Sequence, residues 1–298
     1  MIGLLILFAT ALFALLALLT AMLAWEMRHP PRHTTAYAIA RGLAADPGEL
    51  NLAFETWTLD RPDGAKLAIW EIQSPKSKIP DSLTAVFIHG WGHSRVDSLA
   101  RIRPFDELCE RIVMYDLRGH GETPGNSRLG DGEADDLLAL LERLGSGPFI
   151  LIGHSMGAVI AIRAAIRQPR AIAGVIAYGP YCQFHRSLIG RLRVSGYPAR
   201  PISDLAMAVH RLMGVRPASV DPRELKSLAT LLLVFHGSND AVSPIEHGRR
   251  MAAGAQNASF VEVPAARHTD SHSIDAARHD LEVRDFIERI SKVSPQPV

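Results

Sequence analysis

Cysteine is nearly absent from this chain, and neither sign of charge prevails. The only cysteines in 298 residues, Cys109 and Cys182, lie far apart, which excludes a disulfide framework and a cysteine-rich metal site. We expect both to be free thiols that pack in the interior. The 32 basic and 31 acidic residues give a net charge of +1, so the chain lacks the basic surface that nucleic-acid binding requires.

Charged residues are missing altogether from residues 2–25, an apolar run that makes a helix about 36 Å long. That length crosses a bilayer, so we predict an N-terminal membrane anchor over residues 1–28. The alternative is a cleaved signal peptide, but no basic residue precedes the run and residues 21–24 make a poor cleavage site. Arg28, Arg32 and Arg41 follow the run, which favours a cytoplasmic location for the remainder; secretion after cleavage is the alternative.

The rest of the chain alternates between strand-like and helix-like segments. Short apolar runs between turn residues predict strands at residues 54–59, 66–72, 85–89, 112–116, 149–153, 173–178, 231–236 and 259–263. Helices are predicted at residues 96–110, with a break near Pro104, and at 133–144, 156–168, 245–253 and 274–290. This order predicts a mostly parallel central sheet with helices on both faces, in the α/β class.

These segments divide the chain into an anchor and one large domain. Residues 29–53 are predicted to be a juxtamembrane linker, in part helical, and residues 54–292 the domain, followed by a C-terminal tail at 293–298. Residues 182–227 interrupt the alternation with scattered prolines and one amphipathic run at 202–213. We predict a small lid there, since long excursions between core strands are usually functional, with a surface insertion without a role as the alternative.

A serine between two glycines follows the predicted strand at 149–153. The sequence Gly153-His154-Ser155-Met156-Gly157 opens the next helix, which is the setting of a nucleophilic serine on a sharp turn. A Cβ at either glycine would crowd that turn. The alternative interpretation of Ser155 is an ordinary helix N-cap.

Polar residues also follow four other predicted strands. Because ligands collect at the carboxyl ends of strands in an open α/β sheet, we expect these residues to lie around one site. They are His89-Gly90-Trp91-Gly92-His93-Ser94, Asp116-Leu117-Arg118-Gly119-His120-Gly121, His236-Gly237-Ser238-Asn239-Asp240 and Pro264-Ala265-Ala266-Arg267-His268. The histidines lack ligand spacing, so no metal site is predicted, and no cofactor is predicted either.

With these motifs in register, the chain resembles an α/β-hydrolase, nearest to the serine hydrolases that include monoacylglycerol lipases and lysophospholipases. The resemblance covers about residues 54–290 and implies the α/β-hydrolase fold with a nucleophile, acid and histidine in the order Ser155, Asp240, His268. It also implies an oxyanion hole formed by the backbone N–H groups of Trp91 and Met156. The chain departs from the family at Arg267, where members often carry glycine.

Some of these residues have competing interpretations. Asp240 could simply cap the helix that follows it. His272 is the alternative to His268, which we prefer because it lies in the immediate strand exit. We expect His89, His120, His154 and His236 to orient loops. Asp116 and Arg118 resemble a loop-fixing pair.

The predicted function is a membrane-anchored serine hydrolase that cleaves carboxylic esters, with lipid-derived esters as the narrower expectation. A thioesterase, an acyltransferase or an aminopeptidase would use the same triad, and a non-catalytic membrane-tethered binding protein is the alternative outside the enzymes. An epoxide hydrolase or dehalogenase is disfavoured, because such relatives need a carboxylate at Ser155. The predicted partners are a small-molecule or lipid ester and the membrane, without nucleic acid.

Overall fold

The computed structural model describes residues 1–74 and 83–293, and within them all eight predicted strands are present. They form one sheet in the order β1-β2-β4-β3-β5-β6-β7-β8. The strands are β1 (Phe54–Asp60), β2 (Lys66–Gln73), β3 (Thr84–Ile88), β4 (Arg111–Tyr115), β5 (Phe149–His154), β6 (Ile172–Tyr178), β7 (Leu231–Gly237) and β8 (Ala258–Val263).

The sheet is antiparallel at one edge and parallel elsewhere. Residues 61–65 turn the chain between β1 and β2, which pair antiparallel, and β2 also pairs antiparallel with β4. From β4 to β8 every pairing is parallel. The middle strands β3 and β5 are buried along their whole length, as apolar runs covered on both faces should be.

Helices cover both faces, and an additional pair lies between β6 and β7. They are α1 (Ile2–Arg28), α2 (Thr35–Ala40), α3 (Arg95–Ser98), α4 (Phe105–Leu108), α5 (Glu133–Leu144), α6 (Met156–Arg167), α7 (Phe184–Val194), α8 (Ile202–Leu212), α9 (Glu246–Gly254) and α10 (Ala276–Val293). The predicted helix at 96–110 is two short helices, and Pro104 directly precedes the second. The sequence did not predict α7.

Helix α1 is long and apolar enough to cross a membrane, by length and composition alone. Its N-terminal part is exposed, whereas Thr20, Leu23, Ala24 and Met27 are buried along one face. These residues recur every three or four positions, which is the spacing of one helical face. That face packs against apolar side chains of α7 and α8 in the segment predicted to be a lid.

The predicted linker lies on the domain rather than apart from it. Ala38, Ala45 and Leu52 are buried in the core cluster on one side of the sheet, and α2 accounts for the expected helical part. Arg32 donates hydrogen bonds to the carbonyl oxygens of Gly121 (2.8 Å) and Thr123 (3.2 Å). The predicted C-terminal tail lies, from residue 294 on, outside the described residues.

The prediction about the two cysteines is confirmed, and the prediction that Asp116 and Arg118 form a pair is wrong. Cys109 and Cys182 are free and buried, as predicted. Asp116 and Arg118 fix loops, but not as a pair, because each has other partners. Asp116 accepts hydrogen bonds from the backbone N–H groups of Arg95 and Glu122, whereas Arg118 forms ion pairs with Asp63 and Asp136.

Candidate active site

Ser155 stands on a sharp turn between β5 and α6. Its φ of 52° lies in the left-handed region, which a residue with a Cβ rarely adopts, so the turn is strained. The backbone N–H of Ser155 donates to the carbonyl oxygen of Tyr178 (2.8 Å), which fixes the turn to the neighbouring strand. A Cβ on Gly157 would overlap the carbonyl oxygens of Ile88 and His89. The turn therefore needs glycine there, as the sequence predicts.

The three predicted triad residues come together at the carboxyl ends of the strands. The Nε2 atom of His268 lies 2.9 Å from Ser155 Oγ, and its Nδ1 atom lies 2.7 Å from Asp240 Oδ2. Both separations are hydrogen-bond distances. A carboxylate at Nδ1 makes that nitrogen the donor and leaves Nε2 free to accept the serine proton. The chemistry available to this arrangement is activation of a hydroxyl for attack.

Asp240 is held as an ionised carboxylate. Its Oδ1 atom accepts the backbone N–H groups of Val242 (3.0 Å) and Ser243 (2.7 Å). Burial alone would raise the pKa of Asp240, but hydrogen bonds from His236 and His268 outweigh it and set the pKa at about 2. The carboxylate is thus charged at neutral pH and can stabilise a cationic imidazole beside it.

Of the two candidate histidines, only His268 makes these contacts. The ring of His272 packs against His279, with centroids 6.5 Å apart. Burial lowers the pKa of His272 to about 3. Arg267 stands where the resemblance leads one to expect glycine. It donates its backbone N–H to Asp270 Oδ1 (2.6 Å), so the loop closes without glycine at that position.

The loop after β3 lies directly against the serine. A Cβ on Gly90 would come within 3.3 Å of Ser155 Cβ. His89 holds this loop: its Nε2 accepts the backbone N–H of Leu117 (2.9 Å), so Nδ1 is the nitrogen that donates to Gly90 O (2.8 Å). Trp91 follows on this loop, and Met156 is the first residue of α6, where a backbone N–H has no carbonyl one turn earlier in the helix. Their assignment as oxyanion donors stays a prediction.

The other loop histidines have contacts of the kind that the sequence predicts. His154 Nε2 donates to the backbone carbonyl of His268 (2.9 Å). His120 Nδ1 donates to Arg118 O (2.9 Å), and His236 Nε2 donates to Ser243 O (2.6 Å). The His154 ring thereby joins two loops around Ser155, whereas the His120 and His236 rings each brace a single loop.

A cavity of about 380 Å³ opens over Ser155. We call it the Ser155 cavity. This volume lies within the range of small-molecule sites. Four groups of residues line it: the end of α1, the loops around the triad, α7 with the turn after it, and the loop after β7. Its lining includes Leu23, Met27, Trp91, Ser155, Arg191 and His268.

The sequence did not predict the contribution of α1 to this cavity. Every face of α1 is apolar over residues 2–25, so no periodicity marks the side that faces the domain. Arg191 of α7 was missed for a similar reason, since α7 itself was not predicted. Its guanidinium carbon lies 4.1 Å from the centroid of the Trp91 ring, a cation–π contact that only the fold creates.

Three side chains near the cavity are of types that bind metal ions. Ligand atoms of His33, His93 and Asp97 lie within 4.8 Å of one another. Their present contacts are hydrogen bonds and ion pairs, at 3.0 Å between His33 Nδ1 and Asp97 and 3.4 Å between His93 Nδ1 and Asp97. Asp97 also accepts the backbone N–H of Ser94 (2.8 Å) at the start of α3. These contacts account for the cluster without an ion, and the expectation of no metal site stays a prediction.

Histidines held neutral by full or partial burial predict a fold that loses stability in acid. Burial lowers the pKa of His120 and His247 to about 4 and that of His272 to about 3. Their stabilising contribution is complete above the unfolded pKa of about 6.5 and is lost as pH falls toward these folded values. Burial raises the pKa of Asp116 to about 6 and of Glu133 to about 7, which opposes this trend over part of the range.

Because the effect of the three histidines exceeds that of the two carboxyls, we expect the midpoint of thermal unfolding to fall by about 5 °C between about pH 7 and about pH 5. Circular dichroism of the full chain in detergent would measure it. A midpoint that is constant or higher at the lower pH would contradict burial of these rings in the neutral form.

Comparison with known proteins identifies relatives that are hydrolases. Residues 85–282 match the model of the alpha/beta hydrolase family. A palmitoyl-protein thioesterase from Rattus norvegicus is 24% identical over 63% of this chain and 70% of its own length. A pimeloyl-[acyl-carrier protein] methyl ester esterase from Chromobacterium violaceum is 27% identical over 65% of this chain and 91% of its own.

Solved structures show the same architecture. An esterase from Pyrococcus furiosus superposes with a TM-score of 0.69 at 22% identity, over 88% of this chain and 98% of its own. At that identity the likeness shows the fold. The fold, the relatives and the family model all indicate a hydrolase with the alpha/beta hydrolase fold.

Proposed function

Because the chain belongs to the alpha/beta hydrolase family, we propose that it cleaves carboxylic esters through Ser155, His268 and Asp240 while its N-terminal helix anchors it in a membrane. Its relatives and structural neighbours are hydrolases and esterases, so an enzyme of ester hydrolysis is the premise. The observation that carries the triad is the continuous contact from Ser155 Oγ to His268 to Asp240, at 2.9 and 2.7 Å.

The mechanism follows from that contact. Ser155 Oγ bonds to the ester carbonyl carbon as its proton passes to Nε2 of His268, and the carbonyl electron pair moves onto the oxygen. Collapse of this intermediate breaks the bond to the alcohol, which leaves with the proton from His268. Water then attacks the acyl-Ser155 ester with His268 again as base, and the carboxylic acid is released. Asp240 stabilises the imidazolium in both halves.

The oxyanion that forms on the substrate carbonyl is stabilised by hydrogen-bond donors that already point toward its position. We assign this role to the backbone N–H groups of Met156 and Trp91. The support is positional, since Met156 begins α6 beside the serine and the Gly90 backbone lies against Ser155.

The proposal of lipid-derived esters rests on the surroundings of the cavity. Beside α1, the lid segment exposes the apolar side chains Val194, Tyr197, Leu212 and Met213. Residues 182–216 contain six arginines and a single acidic residue, Asp204. Apolar side chains among arginines suit the interface of a membrane with anionic lipids. An ester drawn from that membrane would meet the cavity directly.

A thioester substrate is the second candidate. A relative is a palmitoyl-protein thioesterase, and the same serine, histidine and carboxylate would attack a thioester carbonyl. Ester and thioester analogues of equal acyl length, compared as kcat/KM, distinguish the two. A higher value for the thioester would favour the second candidate.

The test of the proposed function is hydrolysis of acyl esters graded from acetyl to palmitoyl by the full chain in nanodiscs. We expect cleavage by the wild type and a loss of about 10³-fold or more in Ser155→Ala. Ser227→Ala is the matched control, because Ser227 is exposed on a surface turn and should keep full activity. Folded wild-type protein that cleaves no ester or thioester would overturn the proposal.

A further inference from the structure

The end of α1 forms part of the wall over Ser155. Leu23 and Met27 line the Ser155 cavity together with Ser155 and His268. They are nearly inaccessible to solvent, with 9% and 3% of their surface exposed. A helix that only tethered the domain would have no reason to bury these side chains beside the reacting serine.

Packing fixes this wall in place. Leu23 and Met27 belong to the apolar cluster that also contains Leu188, Leu192 and Met207 from α7 and α8. On the opposite face of α1, Met22 and Trp25 are 58% and 64% exposed. The helix therefore presents one defined side to the cavity.

Hydrogen bonds also join the end of α1 to two loops of the domain, one of which is the loop beside Ser155. The indole Nε1 of Trp91 donates to the backbone carbonyl of Met27 (2.8 Å). The backbone carbonyl of Arg28 accepts the N–H of Ser127 (2.9 Å). Trp91 is the residue to which we assign an oxyanion N–H, so the position of α1 bears on the same loop.

We propose that Leu23 and Met27 select the acyl chain of the substrate, which lies against them as it extends from Ser155 toward the membrane. This inference rests on the proposed function, because it needs an acyl group on Ser155. Methionine is flexible and fills irregular space around an apolar chain, and burial of the chain against both residues favours long acyl groups. The last two turns of α1 are thus part of the mature enzyme, and cleavage after residue 28 would remove one wall.

A matched pair of substitutions on one helix tests this. In the full chain in nanodiscs, Met27→Trp adds volume inside the wall, whereas Met22→Trp adds it on the exposed face. We expect Met27→Trp to lower kcat/KM for palmitoyl esters relative to acetyl esters by about tenfold or more. Met22→Trp should keep the wild-type ratio. Met22→Trp should also react with a small fluorophosphonate at the wild-type rate, and labelling of Met27→Trp by the same reagent checks that its Ser155 remains reactive.

Leu23→Ala supplies a second variant if tryptophan is too large for the site. It removes atoms from the same wall and should change the ratio of kcat/KM for palmitoyl and acetyl esters from the wild-type value. Normal fluorophosphonate labelling with an unchanged acyl-length profile in both wall variants would overturn this inference alone. A wild type that is folded but neither labelled nor active would overturn the proposed function, and this inference with it.

Discussion

Replacement of His268 by alanine is expected to lower kcat for ester hydrolysis by about 10⁴-fold, without loss of the fold. The imidazole of His268 is 2.9 Å from Ser155 Oγ and 2.7 Å from Asp240. Without it, the serine hydroxyl has no base to accept its proton. The cavity and the proposed oxyanion donors would remain, so a residual rate above that of water is expected.

His272→Ala is the control, since it removes the same imidazole four residues later. His272 packs against His279 and makes no contact with Ser155, so we expect less than about a tenfold change. Steady-state kinetics with a short ester and the thermal midpoint of each variant would measure both effects. A larger loss in His272→Ala than in His268→Ala would contradict the assignment of the base.

Gly157→Ala is expected to destabilise the protein by about 1–3 kcal/mol or more. Helix propensity alone predicts that this substitution stabilises the protein, because alanine in a helix is favoured over glycine by about 1 kcal/mol. Here the added Cβ would overlap the carbonyl oxygens of Ile88 and His89 at the end of β3. Backbone atoms of a central strand cannot move aside as a side chain can, so we expect the steric overlap to outweigh the gain in helix propensity.

Gly132→Ala provides the comparison for that substitution. At this position a Cβ meets only the end of the Arg128 side chain, at 3.0 Å, which can shift. We expect a change within about 1 kcal/mol. Thermal and denaturant unfolding of the two variants would compare them, and a Gly157→Ala protein as stable as the wild type would contradict the packing of α6 against β3.

The inner strands were predictable because they are short apolar runs between turn residues, buried in the sheet from both sides, as β3 and β5 are. The largely exposed edge strand β1 was predictable instead from the turn that joins it to β2. The position of the site was predictable for a related reason, since parallel strands bring Ser155, Asp240 and His268 to one edge of the sheet. The roles of Asp240 and His268 came from the resemblance to the α/β-hydrolases, which implies the order nucleophile, acid, histidine.

Helix α7 was not predictable by the same rules. Gly190 in its middle lowers helix propensity, and its basic residues weaken the apolar face. In the fold, a Cβ at Gly190 would overlap backbone carbonyl oxygens of the loop after Asp240. The glycine therefore serves a close approach between α7 and the triad loop, which is a tertiary requirement that local sequence does not reveal.

The role of α1 was only half predictable. Its length and composition indicate a membrane helix, but an unbroken apolar run hides which side packs on a protein. The buried face containing Leu23 and Met27 became visible only once α7 and α8 were in place. For the same reason residues 29–53, predicted to be a linker, give no local sign that Ala38 and Leu52 enter the core.

The proposed mechanism requires Ser155 to be an activated nucleophile. Intact-mass spectrometry of the full chain after reaction with a fluorophosphonate, followed by peptide mapping, measures this property. We expect a single adduct, located on Ser155 and absent from Ser155→Ala. A folded wild type without an adduct, or an adduct on another residue, would contradict it.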